Sequence, residues 1–442
     1  MVRRPGPSST QLCPRCQNDR GRFEPHSNGH EESSGSLSRL TRPFLKEPSM
    51  IDNLCVAGFS RLFARLRRVR PRKILPALAA AVFFAGTAPV SASPERQLFV
   101  SVIQQPQTLA SSEAVLELIQ FARRAGITAL FIQIYRGDQA WFSSELADDS
   151  PYREALKKNG EDTLDLLIRE AHASGIAVHA WLNLLSLSKN TEAPILKKYG
   201  PAVLTQKPGP EKNKLEDYLI DNQYFLEPSD PRVHEHLLGI LGEVLRAYPG
   251  LDGIQADYIR YPDSQPFYGY TPENLEAFRA ASGIREVSEF TPGWKDWRRG
   301  RVTALVEKLS KRARELRPGI IFSTTGCAPY ARAYHEAFQD WARWVELGLA
   351  DFVTMMSYPL DPLDLEENLM GAGARAEGLS NINVGIGAYK MAAKADIFQK
   401  HWQICTASGA RGCAVFHYGS LHEDPALAGI LLSSITRSRK EL

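Results

Sequence analysis

Three short segments carry side chains able to do chemistry on a polar substrate: His179-Ala-Trp181-Leu-Asn183, Asp252-Gly-Ile-Gln255-Ala-Asp257-Tyr258-Ile-Arg260, and Phe416-His417-Tyr418. Along an extended chain, alternation puts His179, Trp181 and Asn183 on one face and places Asp257 above Gln255 on another. An inward carboxylate is costly unless it is paired or used. Asp257 is therefore the leading candidate for acid–base or nucleophilic work, and Arg260 is the neighbour that would make it a plain ion pair instead. Hydrolysis of a glycosidic bond needs a proton donor and, separately, a nucleophile or base. Glu227, in Phe225-Leu-Glu-Pro-Ser-Asp230-Pro, and Asp138, in Gln133-Ile-Tyr-Arg136-Gly-Asp138, are the candidates for the partner, with Asp361 behind them. Asp230 directly precedes Pro231 and reads as a helix N-cap.

The remaining candidates would bind substrate. Arg136, Asn183, Gln255, Tyr258 and Arg260 offer hydrogen bonds or charge, and His179 and His417 a polar ring. Trp181 would supply a flat surface for a sugar ring, and Tyr358, Tyr389 and Tyr418 an aromatic rim suited to carbohydrate.

Most of these residues fall in or just after apolar or β-branched runs. The runs Leu98–Ile103, Ala129–Tyr135, Ala177–Leu182, Gly253–Tyr258, Ile320–Thr324, Phe352–Ser357, Asn383–Ala388 and Gly412–His417 read as strands. Segments of helical period alternate with them: Ser112–Ala125, Thr163–Ser174, Pro231–Ala247, Trp294–Leu316, His335–Leu347, Ala395–Ala407 and Pro425–Thr436. Gly126, Gly175, Gly348 and Gly409 stand where left-handed C′ residues would close helices. This alternation predicts a (β/α)8 barrel, with insertions at Ser188–Glu227 and Pro262–Pro292 after the third and fourth strands. In such a barrel the strand ends are where function is built.

The first 92 residues read as an address. Residues 1–60 are polar and read as disordered or as a mis-assigned start, with Met50 an alternative initiator. Cys13 and Cys16 with His26 and His30 resemble a zinc ligand set, but the spacing between the pairs is short and lacks apolar filler. Residues 61–92 hold a run of Arg and Lys, the apolar stretch Ile74–Ala85 and the small-residue end Val90-Ser-Ala92, the three parts of an export signal. The apolar stretch is too short to span a bilayer comfortably, so the mature part is expected to have no membrane span and to be periplasmic or secreted. Its three cysteines, Cys327, Cys405 and Cys413, are expected as buried thiols, although Cys405 and Cys413 are near enough to bridge.

Composition narrows the function. Lys plus Arg total 53 against 50 Asp plus Glu, so no basic excess points to nucleic acid. Nucleophile-elbow, zinc-protease, Walker and dinucleotide motifs are absent, so no cofactor is expected. A metal site built from His179, Asp257 and His417, as in a metal-assisted deacetylase, and a non-catalytic carbohydrate-binding barrel are the rival readings.

Six blocks, in order between residues 98 and 421, make the chain similar to the glycosyl-hydrolase-like 10 family. They are Gln133–Asp138, Ala171–Asn183, Leu226–Val233, Asp252–Pro262, Met355–Pro359 and Phe416–Leu421. The resemblance implies a TIM-type barrel, export, and hydrolysis of an envelope or extracellular polysaccharide; members are linked to cleaving the glycan strands of peptidoglycan. It matches Asp257 to the family's fourth-strand acid. The chain departs from the family in carrying Tyr258 where a second Asp is often found.

Overall fold

The computed structural model describes residues 94–438 apart from Glu211, Asn213 and Ser264. The Cys13/Cys16/His26/His30 set and the segment 61–92 lie outside the described residues. Eight strands form the barrel: β1 (Glu95–Val100), β2 (Ala129–Arg136), β3 (Ala177–Asn183), β4 (Gly253–Asp257), β5 (Ile321–Cys327), β6 (Phe352–Ser357), β7 (Ile382–Gly387) and β8 (Gly412–Phe416). Each is parallel to its neighbours, and β1 pairs with both β8 and β2, which closes the ring. The expected (β/α)8 architecture is therefore present. Among the described residues no helix is long and apolar enough to cross a membrane.

The expected helices Pro231–Ala247, Trp294–Leu316 and Ala395–Ala407 form over the same residues. Asp230 caps the first of them, accepting from the Arg232 N–H at 2.8 Å. Gly126 and Gly409 take φ of 59° and 76°, a region where a Cβ is costly, and so end their helices.

Several expectations need correcting. The first strand begins and ends about three residues early, because the Ser101 hydroxyl turns to Gln133 and the chain leaves the sheet there. Of the helix expected at 335–347 only Trp341–Glu346 forms, and a separate short helix, Tyr330–His335, precedes it. Between them Phe338 adopts φ 52°, and the buried Gln339 amide plugs into the Cys327 N–H and the Thr325 carbonyl. Helices Ser150–Asn159, Pro272–Ser282 and Pro362–Arg375 form where loops or no elements were expected. Cys405 and Cys413 form a disulfide rather than two thiols, since the tight turn from helix to β8 brings their Cα atoms to 6.0 Å; Cys327 stays reduced and buried.

Strand alternation fills the barrel in layers. Phe99, Phe131, Trp181, Phe352 and Ala414 make an apolar plug, and polar side chains sit above it toward the strand C-termini. His179 belongs to the plug and not to a pocket floor, which corrects its expected role. Its ring packs 5.1 Å from Phe131 and 6.1 Å from Phe352, with Nδ1 unpartnered. Burial pushes its pKa down to about 4. The unfolded imidazole titrates near 6.5, so the unfolded chain binds the extra proton between those values. Folding stability is therefore whole above about pH 6.5 and is lost progressively as pH falls toward 4. His417, also lowered to about 4 by burial, adds to the same window. Thermal melts across this range are expected to show a shallower decline for His179→Leu than for the parent.

The neighbouring strand β4 shows how tightly the plug is packed. A Cβ added at Gly253 would lie 2.2 Å from His179 Nδ1 and 3.0 Å from the Ile321 carbonyl oxygen. Gly253→Ala is expected to cost about 1–3 kcal/mol, read from denaturant melts, because neither neighbour can retreat.

Candidate active site

Asp257 ends β4 and is 3% exposed. Its carboxylate is held from four sides. Oδ2 accepts the Trp181 indole N–H at 2.9 Å. Oδ1 accepts the Tyr258 backbone N–H at 2.7 Å and the Thr325 hydroxyl at 2.5 Å, and Arg260 Nη1 lies 3.9 Å away. Tyr258 takes φ 53°, a strained setting for an aromatic residue, and this turn points its N–H back at the carboxylate. The sequence places all three donors: Trp181 and Thr325 face inward by alternation on the strands flanking β4, and Tyr258 is the next residue.

Arg260 is buried with its guanidinium 4.4 Å above the Tyr258 ring. Burial opposes its charge, but the carboxylates of Asp263 and Asp257 beside it favour that charge. Asp263, which sequence reasoning passed over, accepts from Arg332 and contacts Cys327 Sγ at 3.7 Å. Burial works to raise its carboxyl, yet Arg260 and Arg332 hold it below the ordinary range. Burial pushes the Cys327 thiol up to about 12, so it stays protonated and is no nucleophile.

Beneath Asp257 the floor is polar. Gln133 accepts the Ser101 hydroxyl at 2.8 Å and donates to Asn183 Oδ1 at 3.2 Å, and Asn183 stands level with Asp257. One layer deeper, Gln255 accepts the Ser323 hydroxyl at 2.5 Å, with its own amide nitrogen unpartnered. Arg136, at the end of β2, is half-buried and close enough to act on the Tyr258 hydroxyl.

The aromatic rim differs from expectation. Tyr358 stacks on Phe416 at 5.6 Å, and Tyr389 stands edge-on to both at 5.8 and 5.7 Å. The Tyr358 ring fits because β7 offers only glycine beneath it: a Cβ at Gly387 would sit 2.9 Å from Tyr358. Burial, then the charge of Asp257, raises the Tyr358 phenol. His417 lies parallel to Tyr389 at 6.4 Å and 3.4 Å from the Ser420 hydroxyl. Tyr418 is not part of the rim. It follows the strand end and points outward onto Phe121 and His422. Trp181 is not a stacking platform either, since its ring is buried edge-on between Phe99 and Phe416.

Asp138 and Glu227, expected as partners of Asp257, are each enclosed in another cluster. Asp138, wholly buried at φ 59°, accepts from Tyr135, His236 and the Ile195 N–H, and so ties three segments together. Glu227 accepts from the Tyr261 and Ser229 hydroxyls, while its buried Oε2 has no partner. Burial raises its pKa, against the hydrogen bonds it accepts from Tyr261 and Ser229. Asp361 caps helix Pro362–Arg375 through the Leu363 N–H, the same Asp-Pro signature that marks Asp230.

A cleft of about 670 Å³ opens beside Tyr358, with Arg332, Asp364, Glu367, Tyr389 and Lys390 on its walls. It therefore combines aromatic faces, two carboxylates from one helix turn and two cations. Among the described residues no three His, Cys, Asp or Glu side chains group as metal ligands, and His179 and His417 sit in separate surroundings.

The sequence profile of the glycosyl hydrolase-like 10 family matches residues 98–402. Glycosyl hydrolase DigH of Escherichia coli (strain K12) is 27% identical over 264 residues, which cover 56% of this chain and 58% of that protein. The match thus spans a little over half the length of the relative. Among solved structures, the catalytic domain of β-amylase from Paenibacillus polymyxa shares the barrel fold with a TM-score of 0.52 at 13% identity, covering 78% of this chain and 99% of that one.

Proposed function

This chain belongs to the glycosyl hydrolase-like 10 family, and from that premise we propose that it hydrolyses O-glycosidic bonds of a bacterial envelope or extracellular polysaccharide, the glycan strands of peptidoglycan first among them. The observation that carries the reading is Asp257, a carboxylate at a barrel strand's C-terminal end, oriented by Trp181, Thr325 and the Tyr258 N–H beneath an aromatic rim. Donors on both oxygens keep it pointed, as a nucleophile or base requires. Asp263, ionised between two arginines, is a poor proton donor. The donor we assign is Asp364 or Glu367 on the cleft wall. Work outside the cytoplasm is part of the proposal, supported by the basic and apolar segment 61–92 and by the Cys405–Cys413 disulfide.

A carbohydrate-binding barrel without turnover is the second reading, favoured by the enclosure of Glu227 and Asp138. One experiment separates the two. Purified residues 93–442 are incubated with peptidoglycan, peptide-free glycan strands and poly-N-acetylglucosamine, and products are read by mass spectrometry. New reducing ends support hydrolysis and identify the linkage, whereas retention of the polymer without cleavage supports the binder. Asp364→Asn and Glu367→Gln then identify the donor, whose loss is expected to slow turnover about 10²- to 10⁴-fold.

A further inference from the structure

A second cleft, of about 390 Å³, lies between the loops that follow β1 and β2. In a closed ring of eight strands, β1 and β2 stand opposite β5 and β6, so the loops that line this cleft and those that line the first rise from opposite sides of the ring. Trp141 is the aromatic residue on its wall. The residue is half-buried, packed in part against the core, with its backbone N–H fixed to the Ile134 carbonyl at 2.9 Å. Leu109 adds apolar surface, while Gln107, Gln139, Glu154 and Lys158 put polar groups around it. Gln139 is already held by Asp148 at 3.1 Å, so part of the polar edge is preformed. One indole with hydrogen-bonding groups at its margin matches a pyranose ring, which has an apolar face and a hydroxylated rim.

We propose that this cleft is a distal sugar subsite centred on Trp141, and that the protein engages a glycan chain spanning the barrel mouth from one cleft to the other. The proposal rests on the carbohydrate reading given above and adds to it that long chains, not short ones, use the full site.

The test uses the Asp257→Asn protein, so that nothing is cleaved, with chitobiose and chitohexaose as probes. Tryptophans are labelled with 5-fluorotryptophan, and the Trp141 signal is assigned from Trp141→Phe. Chitohexaose is expected to shift the Trp141 signal, and chitobiose to bind without needing it. Trp141→Ala is expected to weaken chitohexaose about five- to tenfold and chitobiose within twofold, the scale of one aromatic contact. Trp141→Tyr keeps a ring and should restore most of the loss, which separates stacking from damaged packing. If chitohexaose binds but leaves the Trp141 signal unchanged, the distal subsite is wrong and the carbohydrate reading stands. If no binding is measured, both fall together.

Discussion

Replacing Asp257 by Asn is expected to lower turnover of the responsive polysaccharide about a thousandfold or more, while leaving a folded protein that still binds it. The carboxylate is the group that three donors converge on, and the substitution keeps its shape while removing its charge. One oxygen becomes an amide, which leaves either the Trp181 N–H or the Tyr258 backbone N–H facing another donor, and Arg260 loses its 3.9 Å counter-charge. A stability loss of about 1–3 kcal/mol should accompany the kinetic effect, so melting curves are needed beside the rates. Turnover retained within tenfold by a folded variant would remove Asp257 from the chemistry.

Trp181→Phe carries the second large effect: kcat down about 10- to 100-fold with KM little changed. The indole N–H is the donor on Asp257 Oδ2, at 2.9 Å, and the ring itself is buried against Phe99 and Phe416 where substrate does not reach. Phenylalanine keeps most of that packing and removes the donor, so a loss in kcat reports on orientation of the carboxylate. A rise in KM alone would return Trp181 to the role of sugar platform. Thr325→Val probes the other oxygen in the same way and should move kcat in the same direction.

Much of this protein is legible in its sequence alone. Periodicities of two and near 3.6 alternate through residues 98–436, and short-range preference at single positions, such as Asp230 before its proline or Gly126 with φ 59°, ends and begins the helices. That local information is enough for the order of strands and helices, for the ring they close into and for the place of Asp257 at a strand end. Alternation also indicated that His179, Trp181 and Asn183 share a face. The same alternation applied to Ser323 and Thr325 finds the two hydroxyls that were missed.

What local pattern does not contain is depth and neighbourhood. His179 and Asn183 share a face but lie at opposite ends of one strand, one among phenylalanines and the other beside Asp257. Asp138 and Glu227 look like spare carboxylates in the sequence and become enclosed only when helix Pro231–Ala247 and the loop bearing Tyr261 pack over them. Tyr358 and Phe416 meet across β7 because that strand carries glycine there, a fact about three strands at once. Side-chain period along one strand is a property of its own backbone, whereas height in the barrel and cross-barrel partners follow from strand tilt and stagger, which all eight strands decide together.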